Sequence, residues 1–345
     1  MVGPAEVARR ARSRVTHRLE SLPILALSVH SACNCRCVMC DIWKANADKR
    51  EISSHDLERH VEAIRALHVQ RVMLTGGEPL LHRNLWALCR QLRALDIRIT
   101  LATTGLLIER HAADVGAFIE TVVISLDGDR HVHDAIRRVN GGFDRIAGAV
   151  RALRDQDPSP HLIARSVVQR ANCASVHRTI AAARRLGFDE ISFLAADLSS
   201  PAFNRPQPWT AERLDEVAVG AGDLAVLEAS IEQAVAESPE LLDAGFVVGG
   251  RPSLDRILQY YRAVSGRADF PMVQCNAPWV SAVLEPDGSV RPCFFHPAYG
   301  NAAAGLEAAL NSPQAIGFRQ SLGVERDATC RRCVCSLNLP LTRTV

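Results

Sequence analysis

The sequence predicts an α/β chain: an open, partial (β/α)6 barrel of TIM type, followed by a small α+β domain built on a β-hairpin. Three observations carry this. Short β-rich apolar runs alternate with amphipathic helical patterns up to residue 195, the alternation stops at a proline-rich segment near residue 200, and a Pro-Asp-Gly turn joins two short strands among clustered cysteines.

The runs are "ILALSV" (24–29), "RVMLT" (71–75), "RITLAT" (98–103), "TVVISL" (121–126), "LIARSVV" (162–168) and "EISFLA" (190–195). Between them, 54–67, 84–95, 109–118, 143–154 and 174–186 space apolar residues by three or four, as an amphipathic helix requires. Ser53 or Ser54 suits the N-cap of the first helix, and Gly187 the C-cap of the last. Strands alternating with helices imply a parallel sheet. Six units fall short of the eight that close a TIM barrel. "SSPAFNRPQPWT" (199–210) then reads as a linker, 211–236 as an Ala-rich acidic helical region and 253–265 as a further helix. In "VSAVLEPDGSVRPC" (280–293) Gly288 supplies the positive φ of a hairpin turn. A helix near 305–320 and a cysteine-rich tail close the chain. The divisions expected are an N-terminal extension (1–22), the barrel (23–200), a helical linker region (201–270) and the hairpin domain (271–345), with no internal repeat.

At 345 residues the chain can bury a sizeable core. A net charge of +2 gives no electrostatic footprint for nucleic acid. Eleven cysteines, seven of them in two clusters, suit metal binding in an enzyme-sized chain better than a disulfide framework. The apolar run "LPILALSV" is too short for a membrane span of ~20 residues. His30 also sits where a lipoprotein signal requires an aliphatic residue. The expectation is a cytoplasmic protein with neither a membrane nor a nucleic-acid partner.

Cys33, Cys37 and Cys40 are spaced C-x3-C-x2-C directly after the first strand, at the end of a barrel strand where ligands bind. Three thiolates can hold an iron–sulfur cubane and leave one iron open to a small molecule. Zinc, which prefers four ligands, and a redox pair of C-x2-C are the competing readings. Cys35 lies between ligands and is expected to point away as a spare. "LTGGEPLL" (74–81) ends the second strand: Gly76 and Gly77 would let backbone approach a ligand closely, and Glu78 could accept from a ligand ammonium. "ATTG" (102–105), with Thr103, ends the third strand, and "SLDG" (125–128), with Ser125, ends the fourth.

With "CNCRCVMC", "TGGEP" and "SLDG" together, residues 22–200 resemble the radical S-adenosylmethionine (radical SAM) enzymes. The resemblance implies a [4Fe-4S] cluster on Cys33, Cys37 and Cys40, with S-adenosyl-L-methionine chelating the open iron. It implies that Gly76, Gly77 and Glu78 hold the cofactor's amino group and that Ser125 meets its ribose or carboxylate end. Thr103 is counted with these cofactor contacts. Arg165, a cation inside an apolar strand, is expected to pair with a carboxylate of the cofactor or of the chain. Met39 occupies a slot usually filled by an aromatic residue near the adenine, which puts stacking there in doubt.

Cys275, Cys293, Cys330 and Cys333 follow the order cysteine, hairpin, cysteine, helix, C-x2-C. Structural zinc fits that spacing. The layout with "EPDGSVRPC" resembles the twitch module, a shortened form of the SPASM extension. That resemblance implies an auxiliary domain and a second [4Fe-4S] cluster, with Cys335 able to replace Cys333. Cys89 and Cys173 read as core residues, His296 as a packed loop histidine, and "HVHDAIRRVNGGFD" (131–144) as a mixture of salt bridges and substrate contacts.

The family's chemistry is reductive cleavage of S-adenosylmethionine to a 5′-deoxyadenosyl radical that abstracts a substrate hydrogen. The auxiliary cluster would exchange an electron with the substrate, and a flavodoxin or ferredoxin would be the donor. The net result, oxidation, epimerisation or bond formation, is not written in the sequence. About 22 residues precede the first strand, too few for a peptide-docking domain, so a small-molecule substrate (a sugar, aminocyclitol or nucleotide-like compound) is expected ahead of a ribosomally made peptide. A non-catalytic iron–sulfur electron-transfer or sensor protein would need neither "TGGEP" nor "SLDG". The basic stretch "EVARRARSRVTHRLE" reads as a solvated, frayed end, with a docking helix as the other reading.

Overall fold

A computed structural model describes residues 2–345. One nine-stranded sheet organises it. β1 (Ile24–His30), β2 (Arg71–Gly76), β3 (Arg98–Thr103), β4 (Thr121–Ser125), β5 (His161–Val168) and β6 (Glu190–Ala195) run parallel and stand in chain order. On the far side of β1 lies β7 (Ser281–Leu284), also parallel, followed by antiparallel β8 (Ser289–Arg291) and β9 (Gly300–Asn301). The sheet is open, as six βα units require, and the hairpin prolongs it. The strands of the C-terminal segment are therefore continuous with the barrel sheet.

Alternate strand residues face two environments. Val72 and Leu74 of β2, and Val122 and Ile124 of β4, are fully buried beneath the outer helices. Their neighbours Met73, Thr75, Val123 and Ser125 are only half-buried and face the concave side. On the outside pack the helices Leu85–Arg93, Ile108–Phe118, Gly142–Arg154 and Val176–Leu186. The first helical pattern is split into Ser54–Glu58 and Val61–Ala66. Ser53 is its N-cap, in a capping box with Asp56. Gly187 caps Val176–Leu186 at φ 93°, in the left-handed region.

Residues 201–270 pack as part of the main body. The helix Gly250–Val264 places Tyr261 so that its hydroxyl donates to Val168 O (2.6 Å) and accepts from Ala196 N (3.0 Å), tying the ends of β5 and β6 together. Phe246–Val248 covers the edge of β6: Ile191 N donates to Phe246 O (2.7 Å) and Val248 N to Ile191 O (2.8 Å), which removes an unpaired sheet edge. The N-terminal stretch is neither frayed nor free for docking. It forms the helix Pro4–Thr16, whose Arg10 donates to Arg343 O (2.7 Å) and whose Arg14 donates to Leu339 O (2.8 Å). The buried Arg10 and the half-buried Arg14 thus bind the chain's own C-terminal tail.

Candidate metal and cofactor centre

The loop after β1 is held on two sides. On one, His30 O accepts from Gly77 N (2.7 Å) and Ala32 O from Glu78 N (2.9 Å). On the other, Cys33 and Asn46 exchange two hydrogen bonds of 2.9 Å, and Trp43 Nε1 donates to Cys40 O (2.9 Å). The two glycines answer to this loop. Gly76 sits at φ 119°, and a Cβ on either residue would overlap the His30 or Ala32 carbonyl. Their freedom lets β2 approach the cysteine loop; both residues also border an adjoining cavity.

The Glu78 carboxylate accepts from Leu80 N (3.0 Å), Thr103 Oγ1 (2.8 Å), Thr104 N (2.7 Å) and Thr104 Oγ1 (2.7 Å), and it is wholly buried. The side chain braces the ends of β2 and β3. Thr103 belongs to the same brace: its hydroxyl donates to Glu78 and accepts from Gly105 N (3.1 Å).

Cys35 does not point away. It is buried beside Cys33 and Cys37, whose thiols raise its pKa, and its thiol is in turn the first cause lowering the pKa of Cys33 and of Cys37, the latter to about 6. Arg137 adds to the effect at Cys37: its Nη1 lies 3.6 Å from the sulfur, while its Nε donates to Asp127 at 2.5 Å. Burial pushes Cys40 up to about 12. Three thiols converge with a neutral donor and a cation beside them, a donor set that fits an electron-rich iron–sulfur cluster.

Arg137 is the functional residue that the sequence reading missed. The segment 131–144 resolves into distinct tasks. Arg137 faces Cys37, its carbonyl accepts from Arg36 N (3.3 Å), and Ile136 O accepts from Val38 N (2.9 Å). Asp134 caps the next helix through Gly141 N (2.7 Å) and Phe143 N (2.9 Å), and Arg130 pairs with Asp144. Asp127 of "SLDG", fully buried, also accepts from Val167 N (2.9 Å).

On the concave face, Ser125 stands in register with Arg165 across β4 and β5. Arg165 Nε donates to Ser192 Oγ (2.6 Å). Among the described residues no carboxylate pairs with Arg165, so the salt-bridge reading fails. Burial lowers its pKa, with Cys335 opposing. Met39 is buried in the core.

The second set also converges. A cavity of about 220 Å³ is lined by Cys275, Cys293, Cys330, Cys333 and Cys335, together with His296. The tail is pinned by Asn276, which bonds the backbone of Leu337 and Leu339 at 2.8–2.9 Å. Asp327 caps the short helix Ala328–Arg331 and accepts from Cys330 N (2.9 Å). Five thiols exceed what one cubane needs, so the donor set fits with one thiol to spare. Burial raises Cys330, Cys333 and Cys335 alike. His296 is buried 3.4 Å from Cys330 Sγ and 3.5 Å from Asp327, packed against the thiols and away from the barrel mouth. Cys89 and Cys173 are core residues, as expected.

The two centres share strands. Ile24, Ala26 and Met73 line the auxiliary cavity, and Ser28, Thr75 and Gly76 line the one beside the Cys33 loop. Ala26 and Ser28 are about 7 Å apart along β1.

Such a sheet, with one thiol loop after its first strand and a second thiol set beside a C-terminal hairpin, defines an α/β protein with two candidate metal centres. The Radical SAM superfamily matches over residues 27–167, and SPASM, an iron–sulfur cluster-binding domain, over residues 275–334. The chain thus carries a radical SAM domain followed by a SPASM domain. Among curated relatives, a GTP 3′,8-cyclase of Xanthomonas campestris is 34% identical over 160 residues, 42% of this chain and 46% of the relative. A pre-heme d1 synthase of Dinoroseobacter shibae is 32% identical over 135 residues, 38% of this chain and 33% of the relative. The matches span a third to about half of these relatives' length. Among solved structures, Streptococcus suis SuiB bound to S-adenosylmethionine superposes with a TM-score of 0.65 at 16% identity, covering 96% of this chain and 76% of SuiB. SuiB has also been solved with its precursor peptide SuiA. Among the described residues no helix is long and apolar enough to cross a membrane.

Proposed function

We propose that the chain is a radical SAM enzyme that cleaves S-adenosylmethionine at the Cys33 loop and acts on a small molecule in the adjoining cavity. The observation that carries this is the thiol loop locked to Gly77 and Glu78, with Ser31, Ile42, Gly76 and Gly77 beside it lining a cavity of about 400 Å³, a size suited to small ligands. Cys33, Cys37 and Cys40 would hold one [4Fe-4S] cluster, and Cys275, Cys293, Cys330 and Cys333 a second. When bound, the first cluster and S-adenosylmethionine together supply a primary carbon radical able to take hydrogen from an unactivated C–H.

The chain's own residues do the rest. Cys35 and Arg137 stabilise the thiolates. Glu78, Thr103 and Thr104 fix the loop against β2 and β3, leaving the backbone at Gly76 and Gly77 to border the cofactor. Ser125 and Arg165 reach it from the concave face, where Arg165 is free to meet a carboxylate. The apolar sheet and the residues Pro201–Asn204 narrow the access of water. A flavodoxin or ferredoxin is the electron donor. Peptide modification is the second reading, suggested by the peptide that SuiB binds.

The test is anaerobic reconstitution followed by reduction with dithionite and S-adenosylmethionine. 5′-Deoxyadenosine should form and should vanish in Cys33→Ala. A product unchanged by that substitution would leave an iron–sulfur protein without this chemistry.

A further inference from the structure

β7 runs parallel to β1 with Leu284 opposite Leu27. The next pair sets Glu285 beside Ser28, at the strand ends where the Cys33 loop and Gly76–Gly77 also lie. That end is where parallel barrels bind ligands. Ser28, Thr75, Gly76, Gly77, Glu285 and Phe294 share the wall of the 400 Å³ cavity. The hairpin therefore adds a seventh parallel strand end, with its own carboxylate, to the mouth of the barrel.

Two glutamates at this rim differ in one respect. Glu78 is held by four chain donors and none of it is exposed. Glu285 keeps acceptor sites: it is half-buried on the cavity wall, and the ion pair it makes, with Arg291 Nε 3.4 Å from Oε1, is not a hydrogen bond. Arg291 Nη1 is directed instead to His296 O at 3.2 Å. Asp287, on the turn, adds a like charge, and burial outweighs Ser28 and Arg291 to push the Glu285 carboxyl upward. A carboxylate on a cavity wall with acceptor sites to spare is completed by a cationic donor from the ligand.

We propose that Glu285 is a substrate-binding residue of this centre and that it takes the ammonium group of an amine-bearing small molecule. The inference rests on the reading above, that the Gly76–Gly77 side of the same cavity receives the cofactor. It narrows the substrate from small molecules at large to amines. It also explains why the hairpin is joined to the barrel sheet, since the auxiliary cysteines and the ammonium site then move as one body.

The experiment is calorimetric titration of the protein with its clusters loaded and S-adenosylmethionine present, without reductant. The probes are 2-deoxystreptamine, glucosamine and cadaverine, each against its neutral counterpart: scyllo-inositol, glucose and 1,5-pentanediol. At least one amine should bind tenfold or more tightly than its counterpart. Glu285→Gln should erase that preference, a loss of about 10- to 100-fold for one charge-assisted bond. Iron content and melting temperature of the variant report that it is folded. The proposal is overturned if no amine is preferred, or if Glu285→Gln keeps the preference. It is equally overturned if the variant weakens S-adenosylmethionine binding alone, for the ammonium met is then the cofactor's. Because these titrations need no turnover, failure of the radical reading shows separately, as absence of 5′-deoxyadenosine from the unaltered protein.

Discussion

Replacing Arg137 with Met removes a guanidinium that touches Cys37 and Asp127 at once. Asp127 is fully buried and Arg137 is 9% exposed, so the substitution leaves a carboxylate in the interior with only Val167 N (2.9 Å) as a direct side-chain partner. Breaking a buried pair from one side costs about 3–5 kcal/mol, roughly a fifth or more of the ~5–15 kcal/mol that holds a domain together. With a urea slope near ~3 kcal/mol/M, the midpoint falls by about 1 M or more. Asp127→Asn in the same chain removes the stranded charge and keeps an acceptor for Val167 N, so the double variant should recover part of the loss. The second readout is the first cluster's midpoint potential, followed by electron paramagnetic resonance. A cation and an N–H donor beside a ligand sulfur favour the reduced, more negative state. Arg137→Met should therefore move the potential to a more negative value, with Arg137→Lys between the two. A midpoint shift under about 0.3 M, or a double variant less stable than Arg137→Met, would refute the buried-pair argument. An unmoved potential would refute the contact with the cluster.

Other outcomes follow from the same geometry. Gly77→Ala should push the Cys33 loop off β2 and reduce iron from about eight to about four per chain while the auxiliary centre stays loaded, read by iron and sulfide analysis. Cys333→Ala should remove the auxiliary cluster, whereas Cys335→Ala should keep it, because Cys333 completes the C-x2-C pair with Cys330; the same analysis decides. Tyr261→Phe removes the hydroxyl that bonds both Val168 O and Ala196 N, which keep their own mutual bond of 3.2 Å, at about 0.5–1.5 kcal/mol in urea unfolding. His133 is buried and neutral, with its pKa lowered from 6.5 to about 4, burial being the main cause. Its contribution is complete above pH 6.5 and is lost as the pH falls toward 4, because only the unfolded chain takes up the proton in that window. His133→Asn should flatten the stability profile there.

Those residues also mark where reading the sequence succeeds. Strand positions were legible because alternation at Val72 and Leu74, or at Val122 and Ile124, records which face meets the helices, and the caps at Ser53 and Gly187 are local chemistry. The thiols were legible because spacing alone brings Cys33, Cys37 and Cys40 onto one loop. What stayed hidden depends on contacts distant in sequence. The brace at Glu78 was hidden because its donors, Thr103 and Thr104, come from the next strand, and nothing in "TGGEP" announces them. The close approach of Gly76 and Gly77 to the backbone of His30 and Ala32 was not legible either, because those partners lie on the preceding strand loop. Cys35 was set aside on local direction, yet a loop closed by Asn46 and Trp43 turns it inward. Arg137 lies 100 residues from Cys37, and only the turn of β4 through Asp127 brings them together. The one available signal was its neighbourhood, an arginine one helix beyond "SLDG". A charged residue in the first helix after a polar strand end is therefore to be weighed against the loops of neighbouring strands before it is assigned to the surface. By the same rule Glu285, which follows a strand four residues long, belongs with the mouth of the barrel and not with the hairpin turn in which the sequence places it.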